Sequence, residues 1–496
     1  MTDVVLGLDV GTSAVKAVLV RANGAVAAAA SVPLTLRTPQ PGWAEQHPGA
    51  WWQATRRSIR QVRARAPRAR VLAIGISGQM HSSVFLDRDG AVIRPALLWC
   101  DGRTTAECRE IVQGVGGEGR LRALVGNAAL EGFTLPKVLW LRRHEPGAFA
   151  RLATLLLAKD FIRFRLTGAL ASEPSDASGT LLFDPVRMRW SADMLRAMDL
   201  PPSLLPTVGG SAEVLGRLSA DAARQTGLLA GTPVVGGGAD NACAAAGVGA
   251  VTPAEAVASW GTSGVIVAPT AEPRVDPGLR AHTFCHVLPG MWYLIGVVLS
   301  AGGAFAWYRD QVGRDIPAGR RDDALVKEAA RVSPGSDGVV FLPYLQGERT
   351  PHRDASLRGA LLGLSLAHTR AHLTRAVLEG VCFALKDSVE IMRELGLAPA
   401  RLLLTGGGAK NPVLRQLMAD VFGVKVATVN REEGPAYGAA LLAAVGAGLF
   451  PDLATATRRT IRRRAPMAPH RAAQQRYQEL YQRFRACYPA ARSLKE

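Results

Sequence analysis

Two aspartates stand where a carboxylate could work on a phosphate. Asp9 ends the apolar run Val4-Val5-Leu6-Gly7-Leu8 and is followed by Val10, Gly11, Thr12 and Ser13. Backbone N–H groups around Gly11, with the hydroxyls of Thr12 and Ser13, would make a cradle for an anion. A carboxylate beside a bound phosphate repels it unless a divalent cation lies between them, so the pattern points to metal-assisted phosphate chemistry. Asp240 follows Gly236-Gly237-Gly238-Ala239 and precedes Asn241 and a run of small residues ending at Gly247. The glycines let the backbone pass close to a neighbouring surface, and the small residues predict a helix packed tightly on a partner. At that helix start Asp240 could take a proton from a hydroxyl or simply cap the helix. The glycine-bracketed Asp9 at the other end of this half weighs toward chemistry.

The elements that must hold these residues are legible around them. Val4–Val20 reads as two strands joined by the Gly-Thr-Ser turn. Val71–Ile76 reads as a buried strand leading into Ser77-Gly78-Gln79-Met80-His81, and open α/β sheets place ligands just past such strand ends. Gln79 and His81 offer hydrogen bonds to hydroxyls and Met80 an apolar wall, although a lone histidine equally suits a structural role. Leu97-Leu98 leads into Trp99, Asp101 and Arg103, a composition fit for a sugar-facing surface or a salt-bridged turn. Ala256–Val267 repeats the first hairpin's grammar with Gly261, Thr262 and Ser263 in its turn, which suggests internal duplication. Gly302 and Gly303 open a helix, and Arg401–Pro412 reads as strand, glycine turn (Gly406, Gly407, Gly408) and helix start at Asn411. Pro136 marks a helix start, and Thr154–Thr167 reads as one helix closed by Gly168. Ser172–Asp184 reads as loop and short strand, and Phe341–His352 as a structural loop between domains. Tyr477, Leu480, Tyr481, Phe484 and Tyr488 recur at helical spacing, predicting a C-terminal helix docked on the body.

At 496 residues the chain is long enough for two domains or more. Its 48% hydrophobic and 20% charged content suits an ordinary globular protein. No apolar run approaches the roughly 18–20 residues of a membrane span and no leader precedes Val4, so a cytoplasmic location with no membrane partner is expected. Six cysteines without a CxxC pair suggest neither a disulfide framework nor a metal knuckle. The formal net charge of +18 invites a nucleic-acid partner. However, the excess is dispersed arginine, and its two clusters, Arg56–Arg70 and Arg458–Arg464, lack interleaved aromatics. Solvated surface is the expectation, with no nucleic acid bound.

In order along the chain, these motifs resemble the FGGY carbohydrate kinases and, within that family, the xylulokinases. The resemblance covers the D-x-G-T-S hairpin at Asp9, Gly78–His81, Leu98–Arg103, GFTLPKVLWL (132–141), DASGTLLFD (176–184) and Gly237–Asn241. It continues through SWGTSG (259–264), YLQGERTPH (344–352), Gly359–Glu379 and TGGGAKN (405–411). It implies two actin-like (ribonuclease-H-like) α/β domains with a nucleotide and sugar cleft between them. Residues 1–245 would form the sugar side, 246–450 the nucleotide side, and 451–496 a basic segment and docking helix. The resemblance also implies ATP and Mg²⁺ as cofactors, Asp240 as general base and Asp9 as the residue that positions Mg–ATP. The implied sugar site is Met80, His81, Asp240 and Asn241, with Gln79, Trp99, Asp101 and Arg103. The implied nucleotide site is Gly11, Thr12, Ser13 and Lys16 on one side, and Gly261, Thr262, Gly302, Gly407, Gly408 and Asn411 on the other. The implied reaction is phosphorylation of D-xylulose to D-xylulose 5-phosphate. Ser82 and Cys100 depart from the xylulokinase pattern, and Ser82 is a trait of gluconate-phosphorylating relatives. The alternatives are a kinase for another ketose, polyol or aldonate, such as ribulose or gluconate, and an actin- or chaperone-like ATPase with no sugar substrate. A homodimer is compatible with the sequence, which does not fix the assembly.

Overall fold

Val4, Leu6, Leu8 and Val10 are all wholly buried because the strand that carries them, Thr2–Val10, runs inside a sheet covered on both faces. The computed structural model, which describes residues 2–493, pairs this strand antiparallel with Ala14–Arg21, itself antiparallel to Val26–Pro33. On its other side Thr2–Val10 runs parallel to Ala69–Gly78, which runs parallel to Pro233–Val235. A second sheet repeats the plan. Glu255–Trp260 is antiparallel to Gly264–Thr270, itself antiparallel to Trp292–Val298, and on its other side runs parallel to Arg401–Gly406 and then Lys425–Ala427. The duplication suggested by the two Gly-Thr-Ser turns is thus a property of the fold. In each sheet the hairpin turn and the ends of the parallel strands lie at one edge, where α/β sheets gather ligands.

The helices Asp240–Val248 and Pro435–Gly446 join the two halves through backbone contact. A side chain at Gly438 would run into the Cys243 carbonyl, and one at Gly247 would lie 2.7 Å from the Gly434 carbonyl. Pro435–Gly446 also lies on the first sheet, where side chains at Gly7 and Gly75 would strike the carbonyls of Ala436 and Ala439. The small-residue run after Asp240 is therefore a close-packed helix, as its composition predicts.

Several local expectations change. Thr154–Leu156 is a strand, antiparallel to Val84–Leu86, and the helix begins only at Ala158. Its leucines are buried in pairing, which outweighs their helical propensity. Gly168 does close the helix in a left-handed conformation, with φ 80°. The helix bearing Pro136 starts at Thr134, which keeps the proline in the first turn, where its missing N–H costs nothing. Ser172–Asp184 contains a helical turn, Pro174–Ala177, besides its short strands. The C-terminal helix Arg471–Ser493 buries Tyr477, Leu480, Tyr481 and Phe484. Its tyrosines also donate inward, Tyr477 to Glu379 (2.7 Å) and Tyr481 to Asp387 (2.6 Å). Arg57, Arg60, Arg65, Arg68 and Arg70 of the first arginine cluster are exposed. Among the described residues no helix is long and apolar enough to cross a membrane.

The seam is testable. Gly438→Ala should separate the two helices and cost about 1–3 kcal/mol, read as a lower denaturant midpoint. An unchanged midpoint would show that the backbone contact carries no stability.

Candidate active site

Asp9 ends its strand level with Lys16 and Ser77 on the neighbouring strands. It is half-buried at the cleft, with Oδ1 closed off from solvent and without a hydrogen-bond partner. Surrounding protein pushes its pKa up to about 6, against the pull of the Lys16 ammonium. Asp240 is the first residue of its helix, and the capping position belongs to Ala239. Its Oδ1 accepts from the Asn241 backbone N–H (2.7 Å) and side-chain amide (2.9 Å). Loss of hydration and then the Asp9 carboxylate push the Asp240 pKa up to about 7. Such a carboxyl is poised to lose or gain a proton near neutrality.

Among the described residues no group of three or more His, Cys, Asp or Glu side chains is arranged to hold a metal ion. The unpartnered Asp9 oxygen nevertheless fits a cation that arrives with phosphate oxygens as its other ligands.

The two hairpin turns are built differently. In the first, the Gly11 N–H closes on the Ala14 carbonyl (3.1 Å), leaving the Thr12 and Ser13 amides without a protein partner among the described residues. The Thr12 hydroxyl donates to Gln79 Oε1 (3.1 Å) and accepts from Trp99 Nε1 (2.9 Å). The second turn is one residue shorter, with Gly261 N–H closing on the Ser263 carbonyl (3.0 Å). The N–H groups of Gly302 and Gly303 bind the carbonyls of Gly261 (2.8 Å) and Thr262 (2.9 Å), so the helix start at Gly302 braces this turn.

Beside Asp240, His81 holds a left-handed backbone (φ 67°) that a non-glycine residue adopts only when its surroundings enforce it. Lys137 supplies that enforcement. Its buried ammonium donates to the carbonyls of His81 (2.9 Å) and Gly132 (2.7 Å), and burial lowers its pKa to about 7. Nδ1 of His81 donates to the Gly179 carbonyl (2.5 Å) and burial holds its pKa well below the usual value, so the ring is neutral with Nε2 as acceptor. The Met80 sulfur lies 3.7 Å from both the Asn241 amide and the Tyr293 hydroxyl, the latter from the second sheet.

Behind the site is a wholly buried ion cluster. Lys159 Nζ lies 2.6 Å from Asp160, 3.4 Å from Glu173 and 3.5 Å from Asp176. Arg163 pairs with Asp160 and donates to the Gly236 carbonyl (2.7 Å), which fixes the glycine turn before Asp240. Ser175 Oγ accepts from the Ala239 N–H (2.9 Å). On the second half, a cavity of about 730 Å³ runs from Asp240 and Asn241 along Gly406, Gly407 and Lys410. Gly408 packs where any Cβ would meet the Trp260 ring at 2.6 Å, and Asn411 Oδ1 caps the next helix at Val413 (2.9 Å).

Residues 4–247 match the N-terminal domain, and residues 256–447 the C-terminal domain, of the FGGY family of carbohydrate kinases. The chain belongs to this family. A xylulose kinase of Bacillus subtilis (strain 168) is 39% identical over 99% of this chain and 97% of the relative. A gluconokinase of the same organism is 30% identical, over 90% of this chain and 88% of the relative. The solved xylulose kinase from Rhodospirillum rubrum has a TM-score of 0.92 at 34% identity, covering 99% of each chain. The protein is accordingly a phosphotransferase with the two-domain α/β fold of these kinases.

In this kinase Asp9, Asp240, Asn241, Met80 and His81 converge, with Thr12, Gln79 and Trp99 joined by direct bonds. Gln79 is buried, and its Oε1 also accepts from Ser82 (3.1 Å), so it braces the first hairpin. Asp101 and Arg103 are engaged elsewhere. They pair with each other (2.7 Å), Arg103 reaches Glu45 (2.9 Å) and stacks on Trp43 at 3.5 Å, and Asp101 accepts from the Ala44 N–H (2.6 Å). The salt-bridged turn is what the structure shows there. Lys137, Tyr293 and the Lys159 cluster escaped the sequence reading. A lysine inside the apolar run of GFTLPKVLWL was the available signal for the first.

The raised pKa of Asp240 has a consequence for stability. Between about pH 4 and pH 7 the folded protein holds a proton that the unfolded chain has released, so ionising Asp240 costs stability as pH rises. Asp240→Asn should melt like the wild type near pH 4 and a few degrees higher above pH 7. A pH-independent difference would refute the assignment.

Proposed function

We propose that this kinase transfers the γ-phosphoryl group of ATP to the O5 hydroxyl of D-xylulose, with Asp240 as general base and Asp9 positioning Mg–ATP. The observation that carries this is the juxtaposed carboxylate pair, one oxygen without a partner and one group with a pKa near neutrality. In-line phosphoryl transfer needs positioning, charge neutralisation and an acceptor for the hydroxyl proton. Asp240 takes that proton as the sugar oxygen bonds to phosphorus and the bond to the ADP oxygen breaks. Magnesium, held at Asp9 with the nucleotide, would neutralise charge on the phosphoryl oxygens. The free amides of Thr12 and Ser13 receive phosphate oxygens from one side, and Gly261 and Thr262 do so from the other. Residues 1–245 thus carry the sugar and 246–450 the nucleotide, with 451–496 appended.

The sugar wall is Met80, neutral His81 and Asn241, with Trp99 at the rim, while Gln79 braces the first hairpin beside it and Asp101 with Arg103 holds the turn that follows Trp99. The gluconate alternative draws on Ser82 and on the gluconokinase relative. Ser82 is wholly buried and spends its hydroxyl on Gln79, so it offers nothing to an aldonate carboxylate, and the D-xylulose reading is favoured.

ADP release should be selective for D-xylulose over D-ribulose, L-ribulose, D-fructose, glycerol and D-gluconate, with a low no-sugar blank. Turnover equal in every sample would replace the kinase reading with a sugar-independent ATPase. Asp240→Asn should lower kcat by about 10²–10⁴-fold with nucleotide binding retained. Wild-type turnover in that variant would remove Asp240 from the mechanism.

A further inference from the structure

The Arg458–Arg464 cluster has no part in the reaction as described, yet it ends at the cavity beside the glycine loop. Its last residues run antiparallel to residues 428–430, just past the strand Lys425–Ala427, and join them in an isolated β-bridge. Asn430 N–H donates to the Arg462 carbonyl (3.0 Å), Arg464 N–H donates to the Thr428 carbonyl (2.8 Å), and Arg463 bridges Val429. Side chains alternate along an extended segment paired in this way. Arg463 turns one way and pairs with Glu255, while Arg464 turns the other way and lines the cavity bordered by Asp240 and Gly407. Arg415 lines the same cavity from the first turn of the helix capped by Asn411.

Neither guanidinium has a hydrogen-bond or ion-pair partner among the described residues, and the Nε of Arg415 is buried without one. The other cations at the cavity are engaged. Arg431 donates to the Tyr437 hydroxyl (3.2 Å) and the Thr460 carbonyl (3.2 Å), and Lys410 faces Glu432 at 3.6 Å.

Two unpaired guanidinium groups at one cavity call for a ligand that is anionic or rich in π electrons. Position selects between them. The phosphoryl end of the cleft lies with Asp9, Asp240 and the two hairpins. Asp9 and the turn residues 11–13 and 261–263 are not among the residues lining this cavity, whereas Arg415 lines it from one helical turn beyond Asn411 and Arg464 from the segment that bridges Val429. A planar guanidinium stacks well on an aromatic face. We propose that Arg415 and Arg464 hold the adenine ring of the nucleotide, which makes the basic C-terminal segment part of the nucleotide site. This deepens the function proposed above and rests on its placing the nucleotide in this cavity.

The test is equilibrium binding of ATP, and of inorganic tripolyphosphate as a base-free probe, to the full chain and to Arg464→Ala, Arg464→Lys, Arg415→Ala and Arg415→Gln. Each alanine variant should weaken ATP about fivefold, and Arg464→Lys less, from the usual strength of a cation–π contact. Tripolyphosphate affinity and the KM for sugar should stay at wild-type values. Unchanged ATP affinity in both alanine variants overturns the proposal. Tripolyphosphate weakened in step with ATP overturns the adenine assignment. A wild-type protein that binds neither probe defeats the nucleotide reading itself, before any substitution is made. Arg415→Gln, of similar length, keeps the result readable if Arg415→Ala fails to fold.

Discussion

Two neighbouring carboxylates kept from water are the constraint on which this site depends. Asp240 is poorly hydrated and faces the Asp9 charge, so its ionised form is unfavourable until something positive comes between them. A lone carboxylate in the same place would relax toward solvent or take a proton for good. Here Lys16 on the adjacent strand tempers Asp9 without cancelling it, which leaves Asp9 able to engage a cation while Asp240 stays near the pH at which it can accept a proton.

Such a pair persists only where its supports cannot move. Arg163 grips the Gly236 carbonyl, Ser175 receives the Ala239 N–H, and Lys159 binds three carboxylates in the layer behind. Burying that many charges costs free energy that hydrophobic residues would not demand. In return Lys159 and Arg163 are each tied to Asp160, and Arg163 to the Gly236 carbonyl as well, so the glycine turn before Asp240 has a fixed support. Lys137 applies the same device to His81, trading a depressed pKa for a fixed, strained backbone. Sites held by locked supporting groups keep tighter geometry than sites on free loops.

What could be read from the chain beforehand follows from the range of the interactions. The hairpins at Gly11 and Gly261, the helix starts at Gly302 and Asn411 and the aspartate turns are local, so a few adjacent residues announce them. The duplication of the two halves is announced by the repeated turn grammar, whereas the order of strands within each sheet is not. Glu173 and Asp176, in contrast, look like polar loop residues until the fold carries Lys159 to them. Asp101 and Arg103 carry the composition of a sugar-binding edge, yet Glu45 and Trp43 claim them from more than fifty residues upstream. Thr154–Leu156 has the pattern of a helix in isolation, because its partner strand, Val84–Leu86, is as distant. Periodicity describes an element's own faces and says nothing of which partner reaches it.

The helix Pro435–Gly446 completes the first sheet although it follows nearly all of the second. The two halves are therefore interlaced in the chain while distinct in space. A fragment ending near residue 250 would leave Gly7 and Gly75 at the floor of an uncovered apolar trough shaped for the carbonyls of Ala436 and Ala439. Each half keeps an apolar cluster of its own, but a further core, which includes residues from Ala242–Ala246 and Ala436–Ala444, draws on both. During synthesis the first sheet must wait, incompletely covered, until residues 435–446 have been made. Maturation of this enzyme thus includes a closing step in which Pro435–Gly446 docks, and a protein cut between the halves would regain that covered sheet only by the two pieces reassociating.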